Sequence, residues 1–257
     1  ATSMRYNDRG EMLYPAAQLS RYSETRNGGN EYAELTWFGN ANDDLITRGN
    51  GNVKKPQRLL GFYERFRPRK GNWEFYGNGR FGQSGLEDIS HSDIQFYFQP
   101  TYFVSDTLSF NVGLEAIYRP DWLLWRENYN LLGTFEAKQV NLSAGMQWLI
   151  GSNQELRVKL ETIALDAKAK QAYSVDGAGN PVRDNQPLDD FKLNNLGFQI
   201  RYRYELAPLS DLYVVYSRGG SGFEYNDPQD PASLLGDAFS LRDTEMFLVK
   251  LSYRFSI

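Results

Sequence analysis

The residues with the most evident chemistry in this chain are charged groups set two apart. Glu155, Arg157, Lys159 and Glu161 alternate with Leu156, Val158 and Leu160, and Arg201, Arg203 and Glu205 alternate with Ile200, Tyr202 and Tyr204. Side chains two apart share one face of an extended strand, so each series describes a ribbon with a charged row and an oily row. The same phase elsewhere adds Glu74, Arg80, Glu115, Lys250 and Arg254 as candidates for the charged face. Rows of mixed sign on neighbouring strands can form cross-strand ion pairs. Two uses stay open: a selectivity lining for a polar solute, or an ion-paired interior that is filled and conducts little.

The other candidates are weaker. His91 is the only histidine and is followed by Ser92 and Asp93. His with Ser or Asp can do acid–base and nucleophilic chemistry, but neighbours at a loop-to-strand junction point in different directions. We therefore read His91 as a solvated rim residue and expect no catalytic residues. Asp176, Asp184, Asp189 and Asp190 share one loop, and Glu224, Asp227, Asp230 and Asp237 another. Carboxylates can hold calcium, but EF-hand spacing is absent, so these read as solvated acidic loops with no metal. Trp122, Trp125 and Tyr129 fall in an expected loop over 119–132. They could stack on sugar rings, but girdle or loop packing is the reading we adopt. With no cysteine there is no disulfide or thiolate site, and we expect no cofactor. A net charge of −4 gives no support to nucleic-acid binding.

These side chains need strands to carry them, and the whole chain is written in strands. Aromatic residues make up 15% and no cysteine-rich or Leu/Ala-rich helical pattern competes. No apolar run reaches the roughly eighteen residues of a membrane-spanning helix. The closing stretch, Asp243 to Ile257, sets Phe247, Val249, Leu251, Tyr253, Phe255 and Ile257 against Lys250, Ser252, Arg254 and Ser256. Asp93–Val104 and Thr107–Tyr118 repeat the pattern, with Ile94, Phe96, Phe98 and then Phe110, Val112, Leu114 in their oily rows. In Arg58–Arg67 the oily row is Leu60, Phe62 and Phe66, interrupted by Glu64. Connections alternate between short (68–71, 105–106, 151–153, 207–210) and long (39–56, 83–92, 119–132, 169–191, 219–242), and every short one falls on the same rim. Eleven strands are legible, or twelve with Thr2–Asn7, and single-chain bacterial barrels are even-numbered.

The expected fold is all-β: a transmembrane antiparallel up-and-down β-barrel of about twelve strands, within a range of about ten to fourteen. It forms one domain over residues 1–257. Three features favour lipid over a sandwich core. The oily rows suit strands of about 9–11 residues tilted across a bilayer. Tyr102, Tyr118, Trp148, Tyr202, Tyr204 and Tyr253 cluster near row ends, as interfacial girdles do. The connection lengths alternate. The expected location is a bacterial outer membrane, with the lipid bilayer as partner and room for protein partners in a transport or surface complex. The alternatives are an outer-membrane lipid or peptide hydrolase and a soluble β-sandwich binding module. The start, Ala1-Thr-Ser-Met-Arg5, shows no signal peptide and is expected to be a mature form or part of a longer protein.

The segment Arg201-Tyr-Arg-Tyr-Glu-Leu-Ala-Pro-Leu-Ser-Asp-Leu-Tyr-Val-Val-Tyr-Ser-Arg218, with Phe247-Leu-Val-Lys-Leu-Ser-Tyr-Arg-Phe255, resembles the end of a poorly characterised bacterial family. Its members resemble outer-membrane barrels placed after a family-9-type carbohydrate-binding module. The chain departs from that pattern in lacking the module and in ending Ser256-Ile257. The resemblance implies an outer-membrane location and glycan-related biology, and it supplies no catalytic residues.

Overall fold

The computed structural model describes residues 1–8, 10–49, 51–87, 91–126 and 131–255. Its strands are β1 (Thr2–Tyr6), β2 (Met12–Glu24), β3 (Asn30–Phe38), β4 (Ala41–Asp43), β5 (Val53–Lys55), β6 (Arg58–Lys70), β7 (Trp73–Gln83), β8 (Ser92–Phe103), β9 (Leu108–Arg126), β10 (Leu131–Ile150), β11 (Gln154–Val175), β12 (Pro181–Asp184), β13 (Phe191–Ala207), β14 (Ser210–Tyr225) and β15 (Thr244–Ser252). One helix, α1 (Pro231–Ala238), lies between the last two strands. The main sheet is an unbroken antiparallel meander in the order β1-β2-β3-β6-β7-β8-β9-β10-β11-β13-β14-β15, and β4 and β5 make a separate hairpin. All the ribbons expected from alternation are present. The short strand β12 pairs with Ala172–Val175 of β11, beyond Ala167, where β13 takes over that edge. The edges β1 and β15 are exposed along their whole length and, among the described residues, do not pair with each other. Closure into a barrel is thus not part of the observed sheet.

Register carries one face across the strands. Phe81, Ile94, Tyr118 and Lys138 follow one another as partners, as do Gly79, Phe96, Ala116 and Val140. On the same face Val140, Leu142, Ala144 and Met146 continue into Ala164, Thr162, Leu160 and Val158. This apolar face is uncovered along β8 and the proximal half of β9. Ile94 is 56% exposed, Phe96 55%, Val112 49% and Leu114 46%. Between them on the other face, Gln95, Tyr97, Asn111 and Glu115 are only partly exposed. An arrangement with phenylalanines outside and glutamines within is the reverse of a water-soluble core.

The buried residues lie at the far ends of the strands. β9, β10 and β11 run to 19, 20 and 22 residues, about twice what a bilayer crossing needs. The distal halves of β10 and β11 carry Phe135, Ala137, Leu165 and Ala167, which cluster with Phe191 at the start of β13. A second cluster joins Val53, Leu86, Leu132 and Tyr173. Here the long connections fold down and bury what the proximal halves leave open. Helix α1, capped by Asp230 with Pro231 in its first turn, adds Leu234, which is 2% exposed. The Leu234 carbonyl accepts from Asn194 Nδ2, and Lys192 pairs with Asp227 and with Glu224 at 3.0 Å.

Several expected boundaries move. The stretch 119–132 is mostly strand, because Trp122 pairs with Phe135 and Trp125 with Leu132, extending the β9–β10 hairpin. Of the expected loop 169–191, β11 takes the part up to Val175 and β12 another. The acidic stretch 219–242 gives β14 as far as Tyr225 and then α1. The last strand ends at Ser252, so Arg254 is off the ladder, and Ser256 and Ile257 lie outside the described residues. In β6 the faces are exchanged. Leu60 and Phe62 register with Gly82 and Arg80, and Glu64 with Asn78, so the expected oily row shares the polar face. On the apolar face Phe81 lies over Gly61, where a Cβ would come within 2.1 Å of the ring, so a glycine at this position suits the exchanged phase.

Truncating Phe135, which is fully buried, is expected to cost about 3–5 kcal/mol. Phe98→Ala on the open face should cost far less in detergent. Urea unfolding of the two variants side by side checks this.

Candidate lumen lining

The polar face gathers most of the charged candidates into pairs. Glu155, with a side chain 11% exposed, receives Arg157 and lies 3.7 Å from Arg201. Gln147 Nε2 donates to it at 3.1 Å. These residues come from β10, β11 and β13, brought level by the partners Gln147–Arg157 and Arg157–Arg201. A buried carboxylate between two guanidiniums and an amide keeps its charge compensated. Arg203 reaches Asp211 on β14 at 2.8 Å and Glu205 at 3.6 Å. Lys159 meets Glu161 at 2.6 Å, with both side chains more than half exposed. Lys250 is opposite Tyr213, which is opposite Arg203.

A second network runs through β8, β9 and β10. Glu115 accepts from Gln95 at 2.6 Å and from Asn141. Tyr97 donates to Gln99, and its ring is 5.8 Å from that of Tyr76, whose hydroxyl donates to Glu64 at 3.1 Å. Gly113 makes room for it: a Cβ there would lie 2.4 Å from Ser143 Oγ and 2.8 Å from the Tyr97 hydroxyl. Glu74 registers with Thr101 and Arg80 with Gln95 on this face. Arg254 is the exception. It lies past the strand, and its backbone N–H donates to Ser210 Oγ at 3.0 Å. The charge pattern missed Glu64, Gln95, Asn141 and Asp211. The alternation marks the same face for Gln95, Asn141 and Asp211, but a search for charged rows passes over neutral amides and over carboxylates beside a turn; Glu64 falls in an expected oily row, and only the exchanged faces of β6 bring it here.

The loop candidates are placed otherwise than expected. Trp122 is a strand residue 6.2 Å from the Phe191 ring, with the Arg119 guanidinium 5.9 Å from its own. Trp125 packs against the cluster around Leu132 and Tyr173. It lines a cavity of about 660 Å³ with Glu11, Asn52, Lys54 and Asp176. Tyr129 lies outside the described residues. His91 Nδ1 is 2.7 Å from Asp121, which also takes Lys170 at 2.6 Å. Asp93 instead accepts from Ser84, so the neighbours 91 and 93 diverge as expected. Asp121 was not legible as a partner, because it lies thirty residues away on another strand. Among the acidic loop groups, Asp176 accepts from the backbone of Ala178 and Asn180 in its own turn, and Asp190 from Ala169.

The distal loops are tied across the sheet. Lys54 N–H donates to the Gly179 carbonyl at 2.8 Å, joining the β4–β5 hairpin to the β11–β12 turn. Arg183 on β12 grips Glu87 in the loop before β8 in a fork. The Arg183 hydrogen bond holds the Glu87 carboxyl below its ordinary value. A group depressed in this way contributes at neutral pH, and its contribution fades as pH falls through the lowered value. The protection factors of the amides at Leu86 and Glu87, exchange rates taken relative to the intrinsic rate at each pH, should therefore hold from neutral pH through the ordinary carboxylate range and fall only below it. Glu87→Gln should show the low protection throughout.

A family profile described as a domain of unknown function, DUF5916, matches residues 57–255. The match is to an uncharacterised family, in line with the resemblance seen at 201–218 and 247–255. It says nothing of a carbohydrate-binding module. No curated protein matches. A solved structure of the NanC porin in a rhombohedral crystal form is similar over 80% of this chain and 81% of that chain, at 8% identity and a TM-score of 0.33. A likeness at that level carries no argument here.

Proposed function

The chain belongs to the DUF5916 family, and we propose that it acts as an outer-membrane β-barrel whose polar face lines a passage for polar solutes, alone or as the membrane part of a transport or surface complex. One observation carries this reading. Along β8 and the proximal half of β9 the sheet presents Phe96, Val112 and Leu114 uncovered on one face and Gln95, Tyr97 and Glu115 half-buried on the other. Water cannot be the intended neighbour of such a face, whereas hydrocarbon can. Connection lengths support it, since the long loops with β4–β5, β12 and α1 all stand at the rim opposite the short turns. On this reading β1 and β15 are joined in the membrane, by each other or by further strands, because open edges do not persist in hydrocarbon. The mixed-sign lining suits polar solutes of either charge more than one anion or cation class. No residue is assigned a catalytic role, and the bilayer is the partner.

Leu114 stands mid-strand in the proximal part of β9. If lipid covers it, Leu114→Arg lowers folding into vesicles by about 2–4 kcal/mol. In water, at a site already 46% exposed, the same change would be within about 0.5 kcal/mol. The wild-type chain should need detergent, migrate differently on a gel before and after boiling, and give single-channel steps in planar bilayers. A chain that stays in solution without detergent and tolerates arginine at this position overturns the proposal. A heat-modifiable chain without conductance restricts it to a plugged barrel.

A further inference from the structure

At the short-connection rim the apolar face carries a group of cations. The exchanged faces of β6 bring Arg65, Arg67 and Lys70 onto it, opposite Gly77, Phe75 and Trp73. Arg65 is held by Glu31 at 3.1 Å. Arg69, between them, belongs elsewhere: it pairs with Asp106 at 2.7 Å and stacks on Phe103 at 4.4 Å. Arg67 and Lys70 are exposed and, among the described residues, neither has an ion-pair partner. Two such cations side by side at the rim of a largely oily face call for an external anion.

The surroundings say which anion. Trp73 leans on Tyr102 at 4.8 Å and stacks on Phe75 at 5.8 Å, and Phe75 stacks on Phe98 at 6.1 Å. Gly77 and Gly79 leave the sheet bare beside them, in a hollow of about 510 Å³ walled by Tyr63, Phe75, Phe96 and Phe98. It runs into a groove of about 600 Å³ at the short-connection rim, where Arg67, Lys70 and Trp73 stand. From Trp73 to Gly79 the strand rises roughly 20 Å, comparable with half of a hydrocarbon core about 30 Å thick. An apolar channel of that length with two free cations at its mouth, beside an interfacial Trp, has the shape and charge of one molecule class. We propose that this face holds an anionic phospholipid of the leaflet at the short-connection rim. Its phosphate sits between Arg67 and Lys70 and one acyl chain lies along the Gly77–Gly79 hollow. Arginine suits phosphate geometrically, and cations at a bilayer surface attract anionic headgroups. The inference rests on the membrane reading above.

The test uses the full chain, folded in detergent and reconstituted into phosphatidylcholine vesicles with and without phosphatidylglycerol. After mild re-extraction, the phosphatidylglycerol retained per chain is counted by mass spectrometry. The wild type should retain it in preference to phosphatidylcholine. Arg67→Gln and Lys70→Gln should each weaken retention about fivefold, and added salt should weaken it in the wild type. Gly79→Leu fills the hollow without altering charge, since the nearest atom to a Cβ there is 3.8 Å away, and it should lower retention as well. The lipid site is overturned if the double charge variant remains heat-modifiable and still holds as much phosphatidylglycerol as the wild type. A wild type that neither needs detergent nor shifts on heating overturns the membrane reading, and this inference with it.

Discussion

The structure depends on one constraint: the oily rows of the sheet lie open on one face, and the polar rows are gathered and paired on the other. Phe247, Val249 and Leu251 are exposed on β15, and Ile94, Phe96 and Phe98 on β8, with no second sheet over them. In a soluble protein this surface would be the most costly feature of the fold. Within the sheet, every strand between the edges has a hydrogen-bonded neighbour on each side, although β2 beyond Gln18, β9 beyond Tyr118 and β14 beyond Gly219 keep one on one side only. The polar groups are not scattered to compensate. They are gathered on the opposite face, where Glu155, Arg157, Arg201, Glu115, Gln95 and Asn141 satisfy one another.

The same ribbons serve two surroundings along their length. In the proximal half one face is oily and open and the other polar and paired. In the distal half both faces are covered, by α1 on one and by Phe135, Phe191 and their neighbours on the other. The division explains the lengths of β9, β10, β11, β13 and β14, which exceed what a bilayer crossing needs. The extra turns of pleat form a conventional core with its own loops, and that core supports the cross-sheet ties Lys54–Gly179 and Arg183–Glu87. The distal end is therefore built as a scaffold over the polar face rather than as loose connections.

Much of this was legible in the chain. Alternation is a local property of a strand, so eleven ribbons of the meander, or twelve with Thr2–Asn7, their antiparallel order and, from Glu31 on, the phase of all but one could be read from residues two apart. Trp122 and Trp125 misled because a tryptophan near Pro120, between two readable strands, has the composition of a loop. Their cross-strand partners Phe135 and Leu132 decide otherwise, and pairing is not local. β6 misled for a similar reason. Leu60, Phe62 and Phe66 alternate like any oily row, but which face they take shows only in the register with β7, where Phe81 lies over Gly61.

The sequence by itself determined the all-β class, the ribbons of the main meander, and the separation of oily from polar rows, because each follows from the two-residue period of an extended chain. Only the tertiary structure decided which side chains meet. Glu155 is brought between Arg157 and Arg201, His91 beside Asp121, and Arg67 and Lys70 onto the oily face. Those meetings depend on register between strands, which involves close fits such as those at Gly61 and Gly113 that no pattern within one strand contains.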